Sequence, residues 1–163
     1  MKLIPLTQGY FAKVDDEDYE RIMVHRWCVT KGQGQGGLVR AIRCGMTNKI
    51  KKTIYISREI MNNPKDKFVD HINGDTLDNR KCNLRICTRS QNEMNRRINR
   101  TEKTSKYKGV FFDKRRKGWV SSIRVNGKQK SIGVFKSEKM AARSYNSWAR
   151  LLFGEYARLN NID

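Results

Sequence analysis

The chain has 163 residues, of which 35 are Lys or Arg and 16 are Asp or Glu, so its formal net charge is +19. This charge argues against a neutral metabolic enzyme and for a polyanionic partner, because counterion release drives such binding. No run of about 18 apolar residues exists, which excludes a membrane-spanning helix. Residues 100–163 carry 16 of the basic and 5 of the acidic groups and are the main electropositive region.

The first 64 residues predict a small β-rich region. One or two short strands surround Gly9, and a helix begins in the acidic stretch after Asp15, where carboxylates favour a helix N-terminus. Ser57 is predicted to cap a second, short helix. Further strands are predicted over residues 27–30, 38–43 and 52–56, with a glycine-rich connection over 31–37. Basic side chains favour DNA contact by this region, namely Arg40, Arg43, Lys49, Lys51 and Lys52.

The four cysteines do not form the close pairs that structural zinc sites use. They are expected to be buried or half-buried thiols, with a zinc site as the alternative. They are Cys28, Cys44, Cys82 and Cys87.

Residues 65–99 predict a strand, a long loop, a second strand and a helix. The strands are expected over 67–71 and 83–87, and the Asn73-Gly74 pair is a turn signal between them. Thr88 and Gln91 form a capping box, which predicts a helix from residue 89 to about 98.

This unit places an Asp-His pair at a strand end and an Asn on the first turn of a helix. Asp70 and Asn92 offer hard oxygen ligands, which suit Mg²⁺ or Mn²⁺ better than zinc. His71 titrates near neutral pH and can accept a proton from water. Neighbouring polar residues are predicted to form turns only: Asp75, Asp78 and Asn79.

The stretch 67–97 resembles the core of the HNH nuclease family, a finger of two strands and one helix around a metal. The resemblance implies that His71 is the general base and that Asp70 and Asn92 hold one divalent metal. Asn83 would pin the loop and orient His71. The first position of the motif holds Asp, as in the homing-type branch. Arg85 either clamps the scissile phosphate or faces solvent.

The resemblance implies hydrolysis of a DNA phosphodiester bond, leaving a 5′ phosphate and a 3′ hydroxyl. One site per chain predicts a nick by a monomer. A phage or mobile element acting in the cytoplasm of a bacterial host is the expected source. The alternative is a DNA-binding regulator with a decayed nuclease core, against which the intact set of four motif residues argues.

A polar linker over residues 100–105 precedes a C-terminal domain, 106–163. Three strands are predicted over 108–112, 119–125 and 129–135, with a hairpin turn at Asn126-Gly127. Ser137 is expected to cap a final helix that ends before Gly154. One helix face is expected to pack on the sheet through Ala141, Tyr145, Trp148 and Leu152.

Residues 105–160 resemble the Apetala-type DNA-binding domain of plant ethylene-response factors, through Tyr107, Gly109, Trp119 and the Ala141-Ala142 pair. That domain lays its sheet in the major groove with a helix behind. Trp119 is expected in the core. The resemblance predicts contacts to DNA from Lys108, Ser122, Arg124, Gln129 and Ser131. The basic turn over residues 114–117, which includes Arg115 and Arg116, is expected to contact phosphate, with a solvated run of charge as the alternative.

The predicted fold class is therefore α+β. It comprises an N-terminal small sheet (1–64), a central metal finger (65–99), a linker and a C-terminal sheet on one helix. The predicted partner is double-stranded DNA, and the predicted cofactor is Mg²⁺ or Mn²⁺.

Overall fold

The computed structural model describes residues 1–32, 37–47, 50–96 and 104–163. The chain is a mixed α/β protein with several small antiparallel sheets and a C-terminal helix. It forms two compact units, Met1–Arg89 and Ser90–Asp163. Lys49, most of the predicted linker and part of the glycine-rich connection lie outside the described residues. None of the described helices has the length and apolar character needed to cross a membrane.

The strands of the first unit are β1 Lys2–Pro5, β2 Phe11–Val14, β3 Cys28–Lys31, β4 Val39–Thr47, β5 Ile50–Tyr55, β6 Phe68–His71 and β7 Leu84–Cys87. They form three antiparallel sheets, in which β1 pairs with β2, β4 pairs with both β3 and β5, and β6 pairs with β7. Its α-helices are α1 Asp16–Met23 and α2 Ile56–Ile60, and its 3₁₀ turns are Thr7–Gly9 and Lys81–Asn83. Each strand predicted from the sequence is present within a few residues.

Helix α2 begins one residue before the predicted cap. Tyr55 is the N-cap, and Ser57 lies inside the helix and is buried. Ile56 and Ile60, four residues apart, both reach the core. Burial of these two side chains on one helix face therefore sets where the helix starts.

One apolar core serves the whole first unit. It joins residues from β1 to β7, and Val69 and Leu77 pack against it together with the buried Leu84. The β6–β7 hairpin therefore packs on the same core as the N-terminal strands. The division between units falls after Arg89, and the domain boundaries expected after residues 64 and 99 stay predictions. The core residues are Ile4, Leu6, Ala12, Val14, Ile22, Trp27, Val29, Ala41, Ile56, Ile60 and Leu84.

The second unit is a three-stranded antiparallel sheet with a helix packed on it, in which the strand over residues 118–125 lies between the other two. Asn126 and Gly127 both have positive φ, 50° and 76°, which confirms the predicted two-residue hairpin turn. Ser137 caps the last helix by accepting a hydrogen bond from the Met140 N–H at 3.2 Å, as predicted. The elements are α3 Arg89–Met94, which begins at the division, β8 Val110–Asp113, β9 Gly118–Val125, β10 Lys128–Phe135, α4 Glu138–Phe153 and a 3₁₀ turn Gly154–Tyr156.

The face of α4 that meets the sheet differs from the predicted one. Ala141 and Tyr145 are buried as expected, but Trp148 is 45% exposed and Leu152 is 41% exposed. The buried row is instead completed by Ala142, Ala149 and Phe153. Small side chains allow the helix to approach the sheet closely, and Trp148 lies about 100° round the helix from Ala149. The prediction was wrong at Trp148 and Leu152 because helical spacing alone does not fix which side of the apolar stripe meets the sheet.

Candidate functional site

The β6–β7 hairpin presents the Asp-His pair at the end of β6. Asp70 pairs with Arg85 in the antiparallel register, and His71 pairs with Leu84. Because successive residues of a strand point to opposite faces, His71 shares the face of Leu84, which reaches the core. Asp70 lies on the other face with Arg85.

Arg85 lies against Asp70. Its Nε and Nη2 donate hydrogen bonds to Asp70 Oδ2 at 3.0 and 2.7 Å. The two side chains are only 10% and 9% exposed, so this is a nearly buried ion pair. The sequence predicts that Arg85 either clamps the scissile phosphate or faces solvent. The structure places it beside Asp70, the predicted metal ligand. Opposite charges at directly paired positions of two strands were the available clue.

His71 contacts Asn79, which the sequence predicts to form a turn only. His71 Nε2 lies 3.1 Å from Asn79 Oδ1, and Asn79 is 1% exposed. Burial lowers the pKa of His71 below its ordinary value, while the Asn79 hydrogen bond and the charges of Asp70, Asp75 and Asp78 act in the opposite direction. The net direction favours a neutral imidazole, which is the form that can accept a proton.

Asn83 closes the loop between the two strands at both ends. Its Oδ1 accepts from the Asn73 N–H at 2.9 Å, and its Nδ2 donates to the Asp78 carbonyl at 2.7 Å. Its own carbonyl accepts from the Ile72 N–H at 2.9 Å. These bonds hold the backbone that directly follows His71. The catalytic contribution expected of Asn83 stays a prediction.

The same loop is fastened to the N-terminal strands. The Lys13 N–H donates to the Leu77 carbonyl, and the Asn79 N–H donates to the Lys13 carbonyl, both at 2.8 Å. Thr76 Oγ1 donates to the Val39 carbonyl. Asp15 Oδ2 accepts from the Lys81 N–H at 2.7 Å. Strand β2 and its neighbours therefore set the position of the loop that carries Asn79.

Of the three residues expected to form turns only, Asp75 fits that role, because its Oδ1 accepts from the Leu77 N–H at 3.1 Å. Asp78 does more, since Arg80 donates to both of its carboxylate oxygens at 2.7 Å. These hydrogen bonds lower the pKa of Asp78 below its ordinary value. Asn79, as shown above, contacts His71.

Asn92 lies in α3 and belongs to the second unit. Its pairing with Asp70 around a metal therefore stays a prediction. Within the described ranges, no group of three or more His, Cys, Asp or Glu side chains could hold a metal ion. The burial expected for the cysteines was wrong for three of them: only Cys87 is buried, while Cys28, Cys44 and Cys82 are exposed free thiols.

The sheet of the second unit turns one face away from α4. Arg124 pairs with Gln129 and Ser122 with Ser131, and all four lie on the face opposite Trp119 and Ile123. Gln129 Nε2 donates to Ser122 Oγ at 3.0 Å. Trp119 is half-buried and packs against the core cluster that includes Tyr107, Val110, Ala141 and Ala142, which confirms its core position.

Other residues predicted to contact DNA surround this face. Arg115 and Arg116 are exposed in the β8–β9 turn, where their N–H groups donate to Asp113 Oδ1 at 2.9 and 3.1 Å. Lys108 Nζ donates to the Met94 carbonyl. A depression of about 540 Å³ on this surface is lined by Lys108, Ser122, Arg124 and Gln129 among others. In the first unit, Arg43 instead donates to Glu59 Oε2 at 2.8 Å.

The sequence is similar to known proteins over the segment that contains this hairpin. A family model described as HNH endonuclease matches residues 62–94, which include the whole hairpin. An uncharacterized HNH endonuclease of Acanthamoeba polyphaga mimivirus is 30% identical over 163 residues, covering 99% of this chain and 80% of that protein. Protein 3.8 of Escherichia phage T7 is 30% identical over 95 residues, covering 58% of this chain and 77% of that protein. No solved structure matches.

The strand–loop–strand arrangement with an Asp-His pair thus lies within the matched segment. The chain belongs to the HNH endonuclease family, whose members are nucleases that act on DNA.

Proposed function

We propose that this protein is a metal-dependent HNH endonuclease of the homing type, which hydrolyses one phosphodiester bond at a preferred duplex site. The observation that carries the proposal is His71 at the end of β6, held at Nε2 by Asn79 inside a loop that Asn83 closes. A half-buried neutral imidazole beside a fixed loop suits a general base. The relatives in a virus and a phage favour a mobile-element or phage origin and action in the host cytoplasm.

In the proposed reaction, His71 accepts a proton from the water that attacks the scissile phosphorus. Asp70 and Asn92 are the proposed ligands of one divalent cation, which would offset charge on the phosphate and on the leaving oxygen. The donor set fits Mg²⁺, which usually binds through one or two carboxylates together with substrate phosphates. One such site in a monomer cuts one strand, so we expect a nick.

The ion pair between Asp70 and Arg85 is compatible with metal binding. An ionised carboxylate offers about four acceptor positions, so it can accept two hydrogen bonds and still coordinate a cation. Arg85 also places a permanent positive charge beside the carboxylate. It can remain on Asp70 or turn toward a DNA phosphate when the substrate binds.

We further propose that the second unit reads the target site in the manner of an ethylene-response-factor domain. Support comes from its three strands backed by one helix and from Arg124, Gln129 and Ser131, which are exposed on the face of the sheet that carries the buried Ser122. The net charge of +11 on residues 100–163 supplies attraction to phosphate. We propose in addition that basic residues of the first unit contact the DNA backbone.

Cleavage is tested by incubating the full chain with supercoiled plasmid and Mg²⁺, with EDTA and His71→Ala as controls. We expect conversion to the open-circular form that stops with either control, while gel-shift affinity stays within a few-fold because many phosphate contacts share the binding. Binding without cleavage by the wild type would instead support a regulator with a decayed core. Nicking by His71→Ala at the wild-type rate would contradict the role of His71.

Recognition of the target site is tested with Arg124→Ala. The matched control is Lys130→Ala, which removes a positive charge from the opposite face of the sheet. If Arg124 binds a guanine edge, its loss costs about 1–3 kcal/mol and relaxes preference at one position. Lys130→Ala should leave the preference unchanged. Titrations on specific and scrambled duplexes at several salt concentrations measure this. Equal affinity of wild type and Arg124→Ala for both duplexes would contradict docking through this face.

A further inference from the structure

We infer that Asn79 is a positioning residue that fixes the tautomer of His71, so that Nδ1 is the nitrogen that accepts the proton. This inference rests on the proposed role of His71 as general base. It concerns a residue whose place in the chain predicts only a turn.

Asn79 is held through both its side chain and its backbone. Asn79 Oδ1 lies 3.1 Å from His71 Nε2, and Asn79 is 1% exposed. The Asn79 N–H donates to the Lys13 carbonyl at 2.8 Å, and the Lys13 N–H donates to the Leu77 carbonyl at 2.8 Å. Strand β2 therefore holds the backbone of Asn79, and the His71 ring is the partner of its side-chain oxygen.

The chemistry of the two atoms sets the direction of the hydrogen bond. An amide oxygen only accepts, so the ring nitrogen that faces it must carry the hydrogen. In a neutral imidazole the other nitrogen then holds the lone pair. Asn79 Oδ1 thus leaves Nδ1 of His71 as the basic atom.

The same hydrogen bond survives the proton transfer. When Nδ1 accepts a proton, the ring becomes an imidazolium in which Nε2–H remains a donor. Asn79 Oδ1 continues to accept it. An oxygen acceptor at this position therefore serves the ring before and after the step, whereas an N–H donor would repel the imidazolium.

The alternative explanation is that Asn79 only holds the loop. Its backbone already does so through Lys13, and within the described part of the chain its buried Nδ2 has no hydrogen-bond partner. A side chain kept only for the loop would be expected to satisfy its donor. The contact with His71 is thus the interaction that the amide group makes.

The experiment uses the full chain with three substitutions. Asn79→Leu removes the acceptor at similar size, and Asn79→Asp keeps an oxygen acceptor. Asn73→Ala is the matched control, because Asn73 lies in the same loop but its side chain contacts Asp75 and Asp78 and not His71. Urea unfolding ranks the loss of stability of each variant.

The first readout is the ¹⁵N spectrum of the His71 ring, recorded without metal or DNA at a pH where the ring is neutral. We expect Nε2–H in the wild type, in Asn79→Asp and in Asn73→Ala, and a mixture of tautomers in Asn79→Leu. A wild-type ring protonated on Nδ1, or an unchanged ring in Asn79→Leu, would overturn the inference. This readout needs no cleavage, so it tests Asn79 even if the proposed nuclease activity fails.

The second readout is the single-turnover rate of plasmid nicking at saturating enzyme. Asn79→Leu should slow it roughly 10²-fold with DNA affinity unchanged, since losing the orienting partner of a catalytic group costs about 10–100-fold or more. Asn79→Asp should restore most of the rate. If Asn73→Ala at equal stability loses as much rate as Asn79→Leu, the effect belongs to the loop and the inference is wrong.

Discussion

At the end of β6, neighbouring residues lie in different surroundings. Asp70 lies in a nearly buried ion pair with Arg85, and His71 lies on the core-facing side with Asn79 at its ring. Substitutions at these two positions therefore have different physical costs. Loss of activity alone does not distinguish a chemical role of Asp70 from a structural one.

Asp70→Ala should lower the free energy of unfolding by about 3–5 kcal/mol, because it leaves the charge of Arg85 buried and unpaired. The double variant Asp70→Leu/Arg85→Met should recover most of this stability, since apolar residues can replace a buried pair. We expect neither variant to cleave. Urea unfolding and plasmid nicking on the same preparations provide the measurement. Cleavage by the stable double variant would exclude Asp70 as a metal ligand.

The pH dependence of cleavage follows from the burial of His71. Burial lowers the pKa of His71 below its ordinary value of 6.5, and a base must be unprotonated to act. Cleavage should therefore persist at pH 6.5 and fall only as the pH drops through the lowered pKa. Single-turnover rates between about pH 5 and pH 8 measure this limb. An acid limb with its midpoint above 6.5 would show that another group controls the rate.

At the scale of elements, the second unit depends on a close approach between β8 and α4. Gly109 has φ +74°, and a Cβ built there would lie 2.2 Å from Tyr145 Cδ2 and 2.5 Å from the Ser122 carbonyl oxygen. Asn160 holds the preceding residue, since its side chain accepts from the Lys108 N–H at 2.6 Å and donates to the Lys108 carbonyl at 3.1 Å. The backbone at Gly109 therefore has little room to move.

Gly109→Ala should destabilise the second unit by about 2–5 kcal/mol, through overpacking and a left-handed backbone together. Gly127→Ala is the matched control, because φ is +76° there and no atom lies within 4 Å of the built Cβ. It should cost only about 1–2 kcal/mol. Thermal unfolding of both variants measures the difference. Equal losses would mean that the contact with Tyr145 relaxes without cost.

At the scale of the whole molecule, the charge distribution predicts how binding depends on salt. A chain ending at Arg100 retains the core of the first unit, because every residue of that core precedes Arg89. It loses nearly all of the segment with net charge +11. We expect weak nicking without site preference and a shallower slope of log affinity against log salt concentration, because fewer counterions are released.

Binding titrations at about 50–200 mM salt, with circular dichroism as the check on folding, measure this slope. Full site preference by the shortened chain would show that the second unit is not the reader.

The local sequence by itself determines many of the turns, caps and strand faces of this protein. The Asn126-Gly127 turn and the Ser137 cap follow from the backbone preferences of single residues, and strand alternation placed Trp119 and Arg124 on opposite faces. The Asp-His pair and the spacing of Asn83 and Asn92 are likewise visible in the linear chain, because a motif fixed in spacing does not need the rest of the fold to be recognised.

Tertiary structure decided which of these groups meet. The Asp70–Arg85 pair depends on strand register, and the contact of Asn79 with His71 depends on a loop held by Lys13, far away in sequence. The exposed Trp148 and the buried Ala149 reflect how closely α4 fits the sheet. Residue type and helical or strand period predict which side chains can be buried. They do not predict which distant segments pack together, and that packing decides which side chains touch.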